Sequence, residues 1–272
     1  MSNYFQLPDL TAVSVSGPDA LAFCQAQLTA DLTSAPRGRW QVCAWCDPKG
    51  RCKVIILAAV HEDSVDLIAP KDQASILAQL SLYAIGRRVK LSEPMPVAGS
   101  WSAEPGAILL EETPARALMV NRVAEADPDA ARAWRIADLC QGIPWLPAGQ
   151  AGRHLPQFLG LENNAGLSYR KGCFPGQEVI ARVHYLGKVK HQLLGFVIEC
   201  ALTEGAELCL VSGEQEGQAD ALDHIQVGGR SIGLAVCPSA WLADTVIEAP
   251  GPGAAAHGRM VSLERLCYYR EE

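Results

Sequence analysis

The segment from Lys171 to Glu178 carries the residue types in this chain best suited to chemistry, because it reads Lys-Gly-Cys-Phe-Pro-Gly-Gln-Glu. Two glycines flank a short bend that contains Cys173, and Pro175 is typical of the first turn of a helix. A thiol at a helix start experiences the positive end of the helix dipole, and the charge of Lys171 adds to it. Both effects favour the reactive thiolate. The alternative interpretation is a buried structural cysteine in a tight turn.

The same part of the chain is rich in basic residues. Residues 168–192 carry a local charge of +4, with Glu178 as the one acidic residue, in a chain whose formal net charge is -7. The basic residues are Arg170, Lys171, Arg182, Lys188 and Lys190. This concentration predicts an anion-binding site next to Cys173. A solvated helix face, or a surface that docks an acidic protein or tRNA, are the alternatives.

The elements that must position this segment predict an α+β domain. Asp47-Pro48-Lys49-Gly50 has the residues of a type I turn and separates two β-rich runs, so it predicts a hairpin. The other predicted elements are strands at 13–15, 65–69 and 89–91 and helices after Gly17-Pro18-Asp19, at 70–85, at 128–141 and from Pro175 to about 185. Their order predicts ferredoxin-like α/β layers around a central cavity.

The texture of the sequence changes after Gly187. Short β-like runs separated by glycine-containing turns occur at 193–199, 207–211, 231–236 and 259–266, and Gly251–Ala254 is predicted to be an exposed loop. Regular short strands of this kind predict a small antiparallel barrel. We therefore expect two domains, residues 1–187 and 188–272.

Composition limits the class of protein. Hydrophobic residues make up 49% of the chain, which argues against disorder, and the pI of about 5.4 argues against a surface that grips nucleic acid throughout. The sequence contains no apolar run of the roughly 18 residues that a membrane span needs, and its start lacks the pattern of a leader. We expect a cytoplasmic protein with reduced cysteines, of which Cys24, Cys200, Cys209 and Cys237 are predicted to be buried.

The octet resembles the signature K-G-C-[FYW]-x-G-Q-E of the YgfZ-type folate-binding proteins, a group within the glycine-cleavage T-protein (GcvT) superfamily, and it meets every position. Other segments are similar to that family in the same order. They are Val15–Ala20 with Phe23, Gln27, Leu28, Thr29 and Asp31, then Cys46–Arg51, Arg135-Ile136, Gly142-Ile143-Pro144 and Pro156-Gln157. The resemblance covers most of the chain and is thin from about 94 to 130 and after 200.

The resemblance implies a tetrahydrofolate pocket in the larger domain, with Cys173 as the functional thiol at its mouth. It also implies a role in iron–sulfur cluster assembly or repair and a link to tRNA modification by an iron–sulfur enzyme. Folate needs a stacking surface, a partner for the pterin and cations for its glutamate tail. The candidate cofactor-binding residues are Trp45 for stacking, Asp31 for the pterin, Arg170, Lys171 or Arg182 for the tail, and Gln177, which together with Glu178 is also expected to shape the turn. Trp45 could equally be a core residue, and Asp31 a surface charge.

Two further interpretations compete with this one. The related T-protein is an aminomethyltransferase with an acidic pair just after the hairpin glycine, but the equivalent positions here are Lys53 and Val54, and a cation cannot replace the carboxylate. A metal site is the other, because Cys43, Cys46 and Cys52 have superficially suitable spacing. However, residues i and i+3 of a regular strand point to opposite faces, so we predict no metal there.

Overall fold

The computed structural model describes residues 4–103, 106–112, 115–203, 206–212, 215–249 and 256–271. The chain divides into two compact units, the first formed by Met1–Trp134 with Leu161–Val179 and the second by Arg135–Gly160 with Ile180–Glu272. The predicted two-domain boundary at residue 187 does not coincide with the limits of these units, and it stays a prediction. The predicted loop at Gly251–Ala254 lies outside the described residues.

Short strands make up most of the regular structure. In chain order they are β1 (Tyr4–Gln6), β2 (Leu10–Ser16), β3 (Gln41–Cys46), β4 (Cys52–Val60), β5 (Ser64–Pro70), β6 (Lys90–Leu91), β7 (Val97–Ser100), β8 (Ile108–Glu112), β9 (Ala115–Val120), β10 (His191–Ile198), β11 (Glu207–Ser212), β12 (Gln215–Val227), β13 (Arg230–Pro238), β14 (Val246–Ala249) and β15 (Ala256–Val261).

The helices are α1 (Ala20–Gln27), α2 (Ala74–Ala78), α3 (Pro128–Cys140), α4 (Gln177–Leu186) and α5 (Leu263–Leu266). Short 3₁₀ turns flank α2 at 71–73 and 79–83, so the continuous helix predicted over 70–85 is wrong. The strand predicted over 259–266 is right only as far as Val261, because α5 occupies its last four residues. The predictions for α1, α3 and α4 hold, with α4 beginning two residues later than Pro175.

The first unit contains a five-stranded antiparallel sheet of order β3-β4-β5-β2-β6. Its β3–β4 hairpin confirms the prediction, because the Gly50 N–H donates to the Asp47 carbonyl at 2.9 Å. The Asp47 carboxylate also accepts from the backbone N–H groups of Lys49 and Arg51, at 2.8 and 2.9 Å. Gly50 has φ of 77°, a left-handed conformation that favours glycine. The turn is therefore fixed by its own residues.

Helix α1 covers this sheet and closes the main core of the unit. Phe23 and Cys24 of the helix pack in one buried cluster with strand residues such as Ile56 and Leu67. Each large aliphatic side chain buried in this way contributes about 1.5–3 kcal/mol. The predicted α+β character of this domain is confirmed.

A second sheet in this unit, of order β1-β7-β9-β8, lies where the sequence signals were weakest. Its outer pair joins Tyr4 to Ser100, nearly a hundred residues apart in the chain. The second unit contains a closed barrel of order β10-β13-β12-β11-β14-β15, with antiparallel neighbours throughout. The predicted antiparallel barrel is confirmed, although β12 and β14 were not predicted.

None of the helices within the described residues combines the length and the apolar composition that crossing a membrane would require.

Candidate functional site

The loop from Lys171 to Gly176 is anchored at its end by a glycine. Gly176 has φ of 78°, and a Cβ added there would lie 2.4 Å from Gly50 Cα and 2.5 Å from the Asp47 carbonyl oxygen. The end of the loop therefore packs against the turn of the β3–β4 hairpin, backbone against backbone. Two motifs that stand 120 residues apart in the sequence meet here, and only a glycine fits between them.

Gln177 and Phe174 hold the rest of the loop in shape. The Gln177 side-chain amide donates to the Lys171 carbonyl at 3.4 Å, and the Gln177 backbone N–H donates to the Phe174 carbonyl at 3.1 Å. The Phe174 ring is buried beneath the loop. These contacts give Gln177 the turn-shaping part that the sequence suggested. A contact between Gln177 and a cofactor stays a prediction.

Cys173 is exposed at the bend of this loop. The alternative of a buried structural cysteine is therefore wrong. Because α4 begins at Gln177, Cys173 precedes the first helical residue by four positions and is not part of the first helical turn. The helix-dipole argument for a reactive thiolate applies to the first turn and so loses its basis.

Lys171 turns inward, which the sequence did not indicate. Its side chain is 9% exposed, and its ammonium donates to the carbonyl oxygens of Leu28 and Ala30, the latter at 2.9 Å. The Phe174 ring centroid lies 5.2 Å from the same nitrogen, within reach of a cation–π contact. Burial lowers the pKa of Lys171 to about 8. Lys171 thus ties the Cys173 loop to the segment that follows α1.

Asp31 lies in that tied segment as an ionised carboxylate. Its Oδ1 accepts hydrogen bonds from the Thr33 hydroxyl at 2.6 Å and from the Gln25 amide at 2.8 Å. These bonds, the one from Thr33 first, lower the pKa of Asp31 to about 2. Asp31 is half-buried, and its negative charge acts on Lys171 by raising the pKa of that ammonium, although burial has the larger, opposite effect.

Thr29 is a connecting residue whose role the local sequence did not indicate. Its buried hydroxyl donates to the Gly166 carbonyl at 2.6 Å and accepts from the Ala44 N–H at 2.8 Å. The Thr29 carbonyl also accepts from the Ser168 N–H at 3.0 Å. Thr29 therefore joins strand β3 to the segment that leads into the Cys173 loop. The available signal was the resemblance to the family around α1, which includes Thr29, but the neighbouring residues did not indicate its hydrogen-bond partners.

Trp45 is a core residue in this structure, with 1% of its surface exposed. Its ring meets Tyr83 edge-on at 5.6 Å between centroids, and the Lys53 ammonium covers the ring at 3.9 Å. Lys53 also donates to the Gln79 side-chain oxygen at 2.8 Å, and burial lowers its pKa. The ring therefore offers almost no surface for stacking, and its predicted contact with a pterin would need a rearrangement.

The two remaining predicted cations lie in different units. Arg170 is exposed next to Lys171 in the first unit, and its backbone N–H donates a hydrogen bond to the Ser168 hydroxyl oxygen at 3.3 Å. Arg182 is exposed on the part of α4 that belongs to the second unit. Their predicted contacts with a glutamate tail stay predictions.

The cysteines of the hairpin do not share one face. Cys43 belongs to the core cluster of Phe23 and Trp45, which contains neither Cys46 nor Cys52. Among the described residues, no group of three or more His, Cys, Asp or Glu side chains could hold a metal ion. Of the cysteines predicted to be buried, Cys24 and Cys237 are buried, Cys200 is half-buried, and Cys209 is exposed, so that last prediction is wrong.

The inward ammonium predicts an unusual dependence of stability on pH. Because the pKa of Lys171 is about 8 in the folded chain and 10.5 is its ordinary value, the unfolded chain binds more protons between these pH values. The free energy of unfolding of the wild type should therefore rise with pH, relative to Lys171→Met, from about pH 8 upward. Urea denaturation at pH 7, 8.5 and 9.5 measures this difference, with the exposed Lys49→Met as control. A constant difference would contradict the prediction.

The comparisons with known proteins are consistent with one another. No protein-family model matches the chain. An uncharacterized protein of Haemophilus influenzae is 30% identical over 210 residues, 73% of this chain and 75% of that protein. The tRNA-modifying protein YgfZ of Edwardsiella ictaluri is 28% identical over 227 residues, 69% of each chain. That of Colwellia psychrerythraea is 26% identical over 265 residues, 81% of this chain and 80% of that protein.

A solved structure gives the fold class. The aminomethyltransferase T of the glycine cleavage system from Bartonella henselae superimposes with a TM-score of 0.73 at 13% identity, over 96% of this chain and 85% of that one. The mixed α/β first unit and the closed six-stranded barrel are thus a GcvT-like fold. Within that class, and with the complete Lys171–Glu178 signature, the chain belongs to the YgfZ-type family.

Proposed function

We propose that this protein binds tetrahydrofolate and acts in the cytoplasm as an accessory factor in iron–sulfur cluster assembly or repair, in support of iron–sulfur-dependent tRNA modification. The observation that carries the proposal is the exposed Cys173, on a loop that Lys171 ties to the segment of Asp31. The name of the YgfZ relatives, tRNA-modifying protein, supports the tRNA part of the proposal.

The first unit offers polar groups that suit a folate. Asp31 stays ionised at neutral pH, so its carboxylate would accept hydrogen bonds from the N–H donors of the pterin. The exposed guanidinium of Arg170 would pair with the carboxylates of the glutamate tail. Lys171 is less suited to the tail, because two backbone carbonyls already accept from its ammonium. Folate, when bound, would supply a carrier for one-carbon groups.

Cys173 suits a role with iron–sulfur enzymes because its thiol is accessible. Thiolates are the usual ligands of cluster iron, and an accessible thiol can also be oxidised and reduced. Transient contact with a cluster, redox protection and chemistry with a folate-borne methylene group all need such an accessible sulfur. All three roles are included in the proposal.

An aminomethyltransferase is the second candidate, because the chain shares the fold of aminomethyltransferase T. The residue at the position of the expected catalytic carboxylate argues against aminomethyltransferase activity. Lys53 stands there, and its ammonium is engaged by the Trp45 ring and the Gln79 side chain. A cation in this place cannot position or deprotonate an amine. Clear turnover in an aminomethyl-transfer assay with tetrahydrofolate would favour this second candidate.

Calorimetric titration with tetrahydrofolate tests the folate part. We expect saturable binding by the wild type, and binding at least about tenfold weaker by Asp31→Asn, because the variant loses a charge-assisted acceptor of nearly the same shape. Asp63→Asn, an exposed aspartate of the β4–β5 turn, is the matched control and should bind like the wild type. If the wild type shows no heat of binding at millimolar ligand, or if both variants bind equally well, the proposed site is wrong.

A further inference from the structure

Two cysteines face each other at the base of the β3–β4 hairpin. Cys46 is the last residue of β3, Cys52 is the first residue of β4, and the two are paired in register. Their Sγ atoms lie 3.8 Å apart. Both are free thiols, 2% and 0% exposed. This pair takes no part in the site proposed above.

The register pairing and the Sγ–Sγ distance place the two thiols within reach of a disulfide. Opposed residues of antiparallel strands have Cα separations of about 4.5–5.5 Å, and disulfides form at separations of about 4.4–6.8 Å. An S–S bond is about 2.05 Å long, so the two sulfurs would have to approach by less than 2 Å. The ladder is already irregular at this point, because the register shifts between Trp45 and Cys46. A small displacement of the bulged strand end can supply the movement.

The five residues that such a bond would enclose, 47–51, include the turn on which the Cys173 loop rests. A Cβ at Gly176 would lie 2.4 Å from Gly50 Cα and 2.5 Å from the Asp47 carbonyl oxygen. The loop and the turn are therefore in tight backbone contact at Gly176. Asp47 directly follows Cys46 in the chain. A shift of the strand end that carries Cys46 would therefore move Asp47. It would also move the Asp47 carbonyl against which Gly176 packs.

Burial also sets the conditions for reaction. Burial, together with the neighbouring Cys46 thiol, raises the pKa of Cys52, so the thiolate is scarce while the hairpin is closed. Pro48 and Lys49, in contrast, are exposed at the tip of the turn. Reagents can therefore reach the pair only when the hairpin turn opens. Burial therefore protects the pair from oxidation while the turn is closed, and oxidation depends on how often the turn opens.

We propose that Cys46 and Cys52 are a dithiol site that low-molecular-weight disulfides oxidise. We also propose that this oxidation loosens the packing of the Cys173 loop, through Gly176, against the turn of the β3–β4 hairpin. In the first step one protein thiolate attacks the reagent R–S–S–R, forms a mixed disulfide and expels R–S⁻. In the second step the other protein thiolate attacks the protein sulfur of that mixed disulfide and expels the second R–S⁻. The protein gives up two electrons to the S–S bond of the reagent, and the two thiol protons leave with two R–SH.

The test uses the full chain with Cys173→Ala, so that this exposed thiol takes no part. The protein is incubated with oxidised glutathione, and peptide mass mapping then identifies the disulfide that has formed. Hydrogen–deuterium exchange is compared before and after oxidation for the backbone N–H groups of residues 172–174, 176 and 177; Pro175 has none. We expect a Cys46–Cys52 bond and exchange at least about threefold faster in the oxidised protein, with both effects reversed by dithiothreitol.

Matched variants separate this pair from the other thiols. Cys46→Ala and Cys52→Ala, each in the same background, should show neither the bond nor the change in exchange. Cys43→Ala removes the third thiol of the hairpin, which lies in the main core, and should behave like its parent. If Cys46 forms a disulfide with another cysteine, or if prolonged incubation with oxidised glutathione in the absence of denaturant gives no disulfide, the proposed dithiol site is wrong. A Cys46–Cys52 bond that leaves exchange of residues 172–177 unchanged would overturn the coupling. Neither result depends on folate or on iron–sulfur clusters.

Discussion

Gly176→Ala should lower the free energy of unfolding by about 3 kcal/mol, which places it among the most damaging single substitutions in the first unit. Two causes act together. The residue has φ of 78°, which strains any side chain. The new methyl group would also lie 2.4 Å from Gly50 Cα and 2.5 Å from the Asp47 carbonyl oxygen, and neither of these backbone atoms can rotate away.

Gly172→Ala is the matched control, because it adds the same methyl group four residues earlier in the same loop. No heavy atom lies within 4 Å of a Cβ at Gly172, so its free energy of unfolding should stay within about 0.5 kcal/mol of the wild type. Urea denaturation of both variants measures the difference. Equal stability of the two variants would mean that the loop does not rest on the hairpin turn in solution.

The hairpin and the barrel show what local sequence could predict. Asp47-Pro48-Lys49-Gly50 specifies its own turn, because each residue meets a local requirement for hydrogen bonding or backbone angle. Four of the six barrel strands were predicted from short runs of apolar residues between glycine-containing turns. Strand β12 was missed because its first half, Gln215–Asp220, is rich in polar residues and glycine. Pairing with β11 and β13 makes that segment a strand, and pairing is not visible locally.

The second sheet of the first unit was missed for a related reason. Strands β1 and β7 pair across nearly a hundred residues, and β7 and β8 are short and lie among glycine and proline. No local pattern specifies such a pairing, because register depends on which apolar faces meet in the folded chain. The sequence therefore predicted the class of the fold and not the full strand order.

The candidate site was predicted unevenly, and burial explains the difference. The octet predicted the bend correctly, because glycine and proline report directly on backbone shape, but it left open whether Cys173 is buried, and the structure shows that it is exposed. Lys171 was expected to face a ligand, yet its ammonium satisfies the carbonyls of Leu28 and Ala30. Trp45 could be either a stacking or a core residue from its sequence. Whether a side chain points inward depends on packing between segments that are distant in the sequence.

Cys173→Ala should leave the protein folded and abolish its function. Cys173 is exposed, so the loss of its sulfur should change the free energy of unfolding by no more than about 0.5 kcal/mol. If the thiol contacts a cluster or carries out redox chemistry, alanine cannot replace it, because a methyl group neither binds iron nor is oxidised. In a strain that lacks its own YgfZ-type protein, we expect the variant to restore less than about a tenth of the iron–sulfur enzyme activity that the wild type restores.

Cys209→Ala is the matched control for this experiment. Cys209 is also an exposed free thiol, but it lies on strand β11 of the barrel, outside the Lys171–Glu178 signature. It should restore activity as well as the wild type does. The stability of both variants is measured by urea denaturation, so that loss of function and loss of folding are distinguished. Full restoration by Cys173→Ala would show that the accessible sulfur is dispensable, and the loop would then act through its shape and its contact with the hairpin turn alone.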